Sequence, residues 1–234
     1  MRVLLLLFLA AALFAGGYQR PDNRSKAIKL IKKIHFDYKT TWLNGCDYSY
    51  DLQSCMDKTI VDTSSCSVRD ENQTMKWIQV VPASFYGRDK ACMNEEVCVS
   101  KYTGKPYKGE RCCRQSDAEY RKMEADLFNL IPVVSAIAER RKDQIFMNVK
   151  NPKYTIGKVK IDGKFIEPPD NVKGDIARVY LYMNQRYGLK LSLEEKEAFY
   201  YWHKLDPVDK RECAIGKAIM KIQGTNRWIK EGCR

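Results

Sequence analysis

Apolar residues fall at helical spacing near the start of the chain. Ala27, Ile28, Leu30, Ile31 and Ile34 share one face over 25–38, with four lysines mostly opposite, which predicts an amphipathic helix. His35 at its end reads as a surface or capping residue. The run Trp77-Ile78-Gln79-Val80-Val81 reads as a buried strand, stopped by Pro82 before a turn that reaches Gly87. Ser116-Asp117-Ala118-Glu119 has the form of a capping box and predicts a helix through Leu127, with Pro132 as the first residue of a further helix to about Lys142. Residues 154–166 read as a hairpin turning at Asp162-Gly163 in type I′ geometry. A helix over 172–187 closes at Gly188. A second capping box, Ser192 to Glu195, opens a helix carrying Phe199, Tyr200, Tyr201 and Trp202, and Pro207 opens the last helix, which ends near Gly224. These elements predict an α+β fold: a helix-rich single domain around a small sheet.

Length and composition refine this reading. A chain of 234 residues is long enough for one sizeable core and does not require two. Residues 1–17 have the form of a secretory signal: Arg2, an apolar stretch over 3–14, then Ala15-Gly16-Gly17. The domain then occupies 18–234, and the protein is expected to be secreted or periplasmic, without a membrane span, and a monomer. Nine cysteines in an exported chain predict a disulfide framework, with the loop from Cys46 to Cys113 held by several bridges. No C-x-x-C pair and only two histidines make structural zinc the weaker reading, and the odd count leaves at least one thiol free in a monomer. Asn72-Gln73-Thr74 matches a glycosylation sequon, relevant in a eukaryotic source.

The formal net charge of +12 suits a polyanionic partner such as nucleic acid, lipopolysaccharide or an acidic protein. A solvated basic surface gives the same number. Within 88–113, Lys101, Lys105, Lys108 and Arg111 interleave with Tyr102 and Tyr107, a mixture that serves backbone contact and base stacking, or an ordinary soluble loop.

The string Trp77-Ile78-Gln79-Val80-Val81-Pro82-Ala83 resembles the W-E-H-V-V-P-A run of the bacterial secreted and periplasmic endonuclease I family, a branch of the ββα-metal (His-Me finger) nucleases. Met123-Glu124-Ala125-Asp126-Leu127-Phe128-Asn129-Leu130-Ile131-Pro132 is similar to the family's M-E-A-D-L-H-N-L-x-P, with Phe128 where a His is usual. Glu167-Pro168-Pro169, the run from Gly174 to Met183, Pro207-Val208, Arg211-Glu212-Cys213 and Gln223-Gly224 follow in the family's order, so the likeness covers roughly 25–234. It implies an endonuclease I-like fold and phosphodiester hydrolysis. Where the family often has C-G-C, this chain has Asn44-Gly45-Cys46, a loss that leaves an old partner cysteine unpaired.

The family's chemistry needs an imidazole base, a divalent cation and groups to anchor that cation. Carried over by the resemblance, the base position is Gln79, the carboxylate ligand position is Ile78, and the Asn ligand position is Ala138; Glu124 is kept. A family Arg falls at Glu110-Arg111. The resemblance therefore implies a catalytically impaired or inactive member that retains sequence-independent binding to a DNA or RNA backbone, through Arg111, Arg140, Arg141 and Lys142. No cofactor is expected on that reading. The alternatives are an active nuclease with a remodelled magnesium site built on Glu124, Asp126 and Asn129, and a protein-interaction module on a nuclease scaffold. His203 falls where the resemblance places no catalytic residue.

Overall fold

The computed structural model describes residues 19–50, 59–66, 68 and 74–233. The leader expected over 1–17, Cys55 and the sequon's Asn72 lie outside them.

Chain order runs α1 (Arg24–Ile34), β1 (Asp47–Tyr50), β2 (Thr59–Asp62), β3 (Met75–Gln79), α2 (Ala83–Tyr86), α3 (Ala91–Asn94), β4 (Cys98–Val99), β5 (Pro106–Tyr107), α4 (Glu110–Ser116) and α5 (Ala118–Glu124). It continues with β6 (Leu130–Val134), α6 (Ser135–Arg141), β7 (Ile145–Phe146), β8 (Tyr154–Ile156), β9 (Val159–Ile161) and β10 (Phe165–Glu167). The last elements are α7 (Lys173–Tyr187), α8 (Leu193–Leu205), α9 (Lys210–Gln223) and α10 (Arg227–Lys230). The fold is helix-rich α+β as expected. Its described strands, however, divide among four small sheets rather than one: β1–β2, β3–β6, β4–β5 and β7-β10-β9-β8.

Helix α1 starts at Asn23, whose side chain accepts from the Lys26 amide, and buries Ala27, Leu30 and Ile31. Its C-cap, His35, is buried rather than on the surface, edge-on to Trp77 at 5.1 Å. Helix α7 is the central element, buried from Lys173 to Met183. Gly174 lets it pass against the end of α8, since a Cβ there would meet the Asp206 carbonyl oxygen at 1.8 Å. Gly188 terminates it in the left-handed region at φ 65°. Tyr180 stacks on Phe199 of α8 at 4.2 Å. Arg178, fully buried, reaches both Glu212 carboxylate oxygens at 2.6 Å and Asp175 at 2.8 Å, tying α7 to α9.

Three local expectations change. Pro132 does not open a helix: it lies in β6, antiparallel to β3 and opposite Trp77, and α6 begins at Ser135. Residues 130–134 form a fully buried run containing three β-branched side chains, and strand burial outweighs the preference of proline for a helix start. The missing N–H costs nothing here. Cross-strand bonds flank this pair at Val80 to Asn129 and at Ser135 to Thr74, and the outward Pro132 carbonyl accepts from Trp42 at 2.9 Å. Second, Ser116 ends α4, and the cap of α5 is Asp117, which accepts from the Tyr120 amide at 2.7 Å. The Ser192–Glu195 box forms with both of its hydrogen bonds. Third, the turn between β9 and β10 centres on Gly163-Lys164, with φ positive at Gly163 (101°) and not at Lys164, which is the type II′ pattern. Gly157-Lys158 turns β8 into β9 in the same way, making the segment a three-stranded meander.

Four disulfides join Cys46 to Cys66, Cys92 to Cys113, Cys98 to Cys112 and Cys213 to Cys233. Their Cα separations of 4.8–5.7 Å suit the bond. The two central bridges anchor the 92–113 loop on α4.

Candidate functional site

Strands β3 and β6, followed directly by α6, form a strand–strand–helix unit, and Gln79 closes β3 at its edge. The chain beyond it is fixed from two sides. Asn129 accepts from the Val81 amide at 2.7 Å and donates to the Val81 carbonyl at 3.0 Å. Tyr180 of α7 donates to the Val80 carbonyl at 3.3 Å. Asp126 caps the turn before β6 and receives Tyr182 (3.0 Å), Tyr187 (2.6 Å) and Gln223 (2.7 Å). Asp126 and Asn129 are therefore bracing groups consumed inside the core, and they do not join Glu124 in a remodelled metal site.

A cleft of about 200 Å³ opens at the end of β3. Ile78 and Gln79 line it together with Glu124 from α5, Glu110 and Arg114 from α4, Arg141 at the end of α6 and Lys142 and Asp143 beyond it; Arg24, Pro82 and Ala83 also contribute. The Gln79 amide nitrogen donates to the Tyr86 hydroxyl at 3.0 Å and to the Glu124 carbonyl at 3.3 Å. Burial pushes the Tyr86 phenol upward, so it stays neutral. Glu124, 3% exposed, accepts from Arg114 Nε at 2.6 Å, and the same guanidinium meets Glu110 at 2.6 Å. A larger hollow of about 340 Å³, between Trp42 and Arg211, contains none of these positions.

Sequence reasoning put the displaced family arginine at Arg111. The arginine that α4 places in the cleft is Arg114. On α4, positions 110 and 114 share a face, whereas 111 is turned some 100° away and lies over the Tyr107 ring at 5.4 Å. The Glu110-x-x-x-Arg114 spacing was the available signal.

The expected basic cluster also separates. Arg141 also lines the cleft, but it is 2% exposed and its guanidinium donates to the carbonyls of Gln79, Val80 and Gln144, which commits it to the backbone. Arg140 is exposed and stacks over Tyr154 at 4.6 Å, outside the wall of the cleft. Lys142 is exposed, lines the cleft, and makes no ion pair among the described residues. It is also the one non-glycine among them with positive φ, at 49°. Strain of that kind concentrates at sites where backbone aim matters.

A divalent cation finds no fitting donor set at the positions the resemblance implies. Ile78 and Ala138 carry no ligand atom, Gln79 offers an amide, and no three His, Cys, Asp or Glu side chains converge on a metal position among the described residues. Neither histidine reaches the cleft. Burial, with Arg211 adding to it, pushes His35 down to about 3, and His203 lies 3.3 Å from Arg178, with burial and that cation holding its imidazole low.

The chain is similar to known proteins along nearly its whole length. A family model described as Endonuclease I matches residues 19–233. A protein named Endonuclease-1 from Buchnera aphidicola subsp. Acyrthosiphon pisum is 32% identical, over 91% of this chain and 82% of that one. A periplasmic deoxyribonuclease from Aeromonas hydrophila is 30% identical over 87% of this chain and 84% of its own length. An extracellular deoxyribonuclease from the same organism is 29% identical over 98% of each. The braced strand–strand–helix unit and a match spanning 19–233 lead to one statement: this chain belongs to the endonuclease I family.

Proposed function

We propose that the protein is an exported member of the family in which nuclease activity is lost or nearly lost, and that it binds nucleic-acid backbone at the cleft without sequence preference. The observation that carries this reading is Gln79. The residue at the base position is an amide that takes no proton at physiological pH, and its nitrogen is already bonded to Tyr86 and to the Glu124 carbonyl. With Ile78 and Ala138 at the ligand positions, the residues that would activate water and those that would hold an ion are missing together. Groups that act as a unit fail as a unit. What persists is positive charge: Lys142 is uncommitted, Arg24 stands beside it, and the whole chain carries +12. Export is supported by the 1–17 leader pattern, by four disulfides, and by relatives named as extracellular or periplasmic deoxyribonucleases.

The test is plasmid nicking with magnesium beside the same protein in chelator, together with Glu124→Ala. Cleavage should be undetectable or orders of magnitude below an intact relative, and any residual nicking should survive in Glu124→Ala as a contaminant. Nicking abolished by Glu124→Ala would overturn the proposal. Binding to duplex DNA should be unaffected by chelator and fall steeply with salt as condensed counterions are released. Absence of binding at low salt would leave a protein partner as the better account.

A further inference from the structure

We propose that the hairpin β4–β5 is a second nucleic-acid contact, an arm that grips unpaired nucleotides next to the cleft. The proposal rests on the nucleic-acid reading above and extends it from a backbone site to a base-stacking one.

Chemistry and construction both point this way. From Val97 to Gly109 the chain carries three lysines and no carboxylate. At the tip, Tyr102 is 90% exposed between the exposed Lys101 and Lys105, offering both faces of its ring to solvent. A bare aromatic flanked by cations is the arrangement that stacks on a base while neutralising the adjoining phosphates, and it tolerates any sequence because every base has a π face. Duplex interiors present no such face, which makes single-stranded or frayed segments the matching ligand.

The arm is also built to hold its shape. Cys98, within β4, is bonded to Cys112, and Cys92 before it to Cys113, so neighbouring residues of α4 clamp the base of the hairpin. The Ser100 amide donates to the Lys105 carbonyl and the Gly104 amide to the Ser100 carbonyl, both at 2.9 Å, and Gly104 takes φ +64° to close the turn. A pre-ordered loop loses little entropy on binding. From the tip the surface runs back through Tyr107, with Arg111 over its ring, into α4, whose Glu110 and Arg114 line the cleft. Eight steps of chain separate Tyr102 from Glu110 in the cleft wall, at most roughly 29 Å, short enough for one strand of nucleic acid to touch arm and cleft together.

The experiment measures anisotropy of a fluorescein-labelled oligothymidylate and of a labelled duplex, using the full mature chain. Tyr102→Ala should weaken the single strand by about fivefold to a hundredfold, the range found on removing one base–aromatic stack, and Tyr102→Phe should restore it. Duplex affinity and Tm should hold in both variants. The pair Lys101→Ala, Lys105→Ala should lower the single-strand log–log salt slope by up to about 1.4. Lys142→Ala reports on the cleft separately. If it lowers the slope while Tyr102→Ala leaves single-strand affinity unchanged, the arm is refuted and the cleft reading stands. If the hairpin variants weaken binding and Lys142→Ala does not, the arm stands and the cleft reading fails. No binding of either probe at low salt overturns both.

Discussion

Arg141 offers the sharpest test of how the site is held together. Its guanidinium is buried and donates to the Gln79 carbonyl, to Val80 at 2.6 Å and to Gln144 at 3.1 Å, with its plane over Phe146 at 4.5 Å. Burial pushes it down to about 10, so it remains charged at neutral pH and the bonds persist there. The Val80 carbonyl keeps Tyr180 if Arg141 is truncated, but the Gln79 carbonyl faces away from β6 and loses its partner. Hydrogen bonds to a charged donor are worth about 1.5–3 kcal/mol each. Against them stands the cost of a buried cation whose nearest acid, Asp143, acts on it without a contact ion pair, several kcal/mol that truncation recovers. The net expectation for Arg141→Ala is a loss of about 3 kcal/mol, or roughly 6–12 °C in Tm for a domain of this size. Arg141→Met, which keeps the stem, should lose less, and Arg140→Ala on the open surface should stay within about 0.5 kcal/mol. Urea unfolding followed by tryptophan fluorescence measures all three. Duplex binding by folded Arg141→Ala should keep the parental salt slope. An unchanged midpoint together with a slope reduced by about one would refute the reasoning, because it would put the guanidinium on phosphate.

Other outcomes follow from the same geometry. His35 binds its proton in the unfolded chain near 6.5 and in the folded chain near 3, so the unfolded state holds more protons between those values. Stability should therefore fall by up to about 1.4 kcal/mol per pH unit below 6.5, and His35→Phe should flatten that acid limb in pH-dependent denaturation; an unaltered limb would show that other groups set it. Glu110→Gln removes a carboxylate that competes with phosphate for Arg114, and should tighten duplex binding about two- to fivefold at low salt, an effect lost at high salt. Lys142→Gly should relieve strain at φ 49°, raising stability by up to about 1 kcal/mol, while lowering the salt slope by about 0.9; a destabilised variant would contradict the strained assignment. Reduction of the four disulfides, each closing a short loop worth about 3 kcal/mol, should remove most or all of the folding margin in a calorimetric scan.

Much of this protein was readable without coordinates. A periodic apolar face located α1, a closing glycine the end of α7 and a capping box the start of α8, because such signals act over one or two turns and are written locally. That Ile78, Gln79 and Ala138 offer neither an imidazole nor a carboxylate was equally legible, since that is a matter of residue identity. What the chain could not reveal was where side chains are spent. Asp126 and Asn129 look like ligands by spacing, yet Tyr182, Tyr187, Gln223 and Val81 consume them, and those partners lie between 48 and 97 residues away in sequence. Arg140, Arg141 and Lys142 look like one cationic cluster. Rotation of about 100° per residue along α6 and its end sends one over Tyr154, one into the buried floor of the cleft and one to its exposed wall. Pro132 looked like a helix start until β3 lay beside it. Local propensity is decided within a turn of chain, but burial and hydrogen-bond partnership are decided by which distant segments arrive, and only the tertiary structure brings them together.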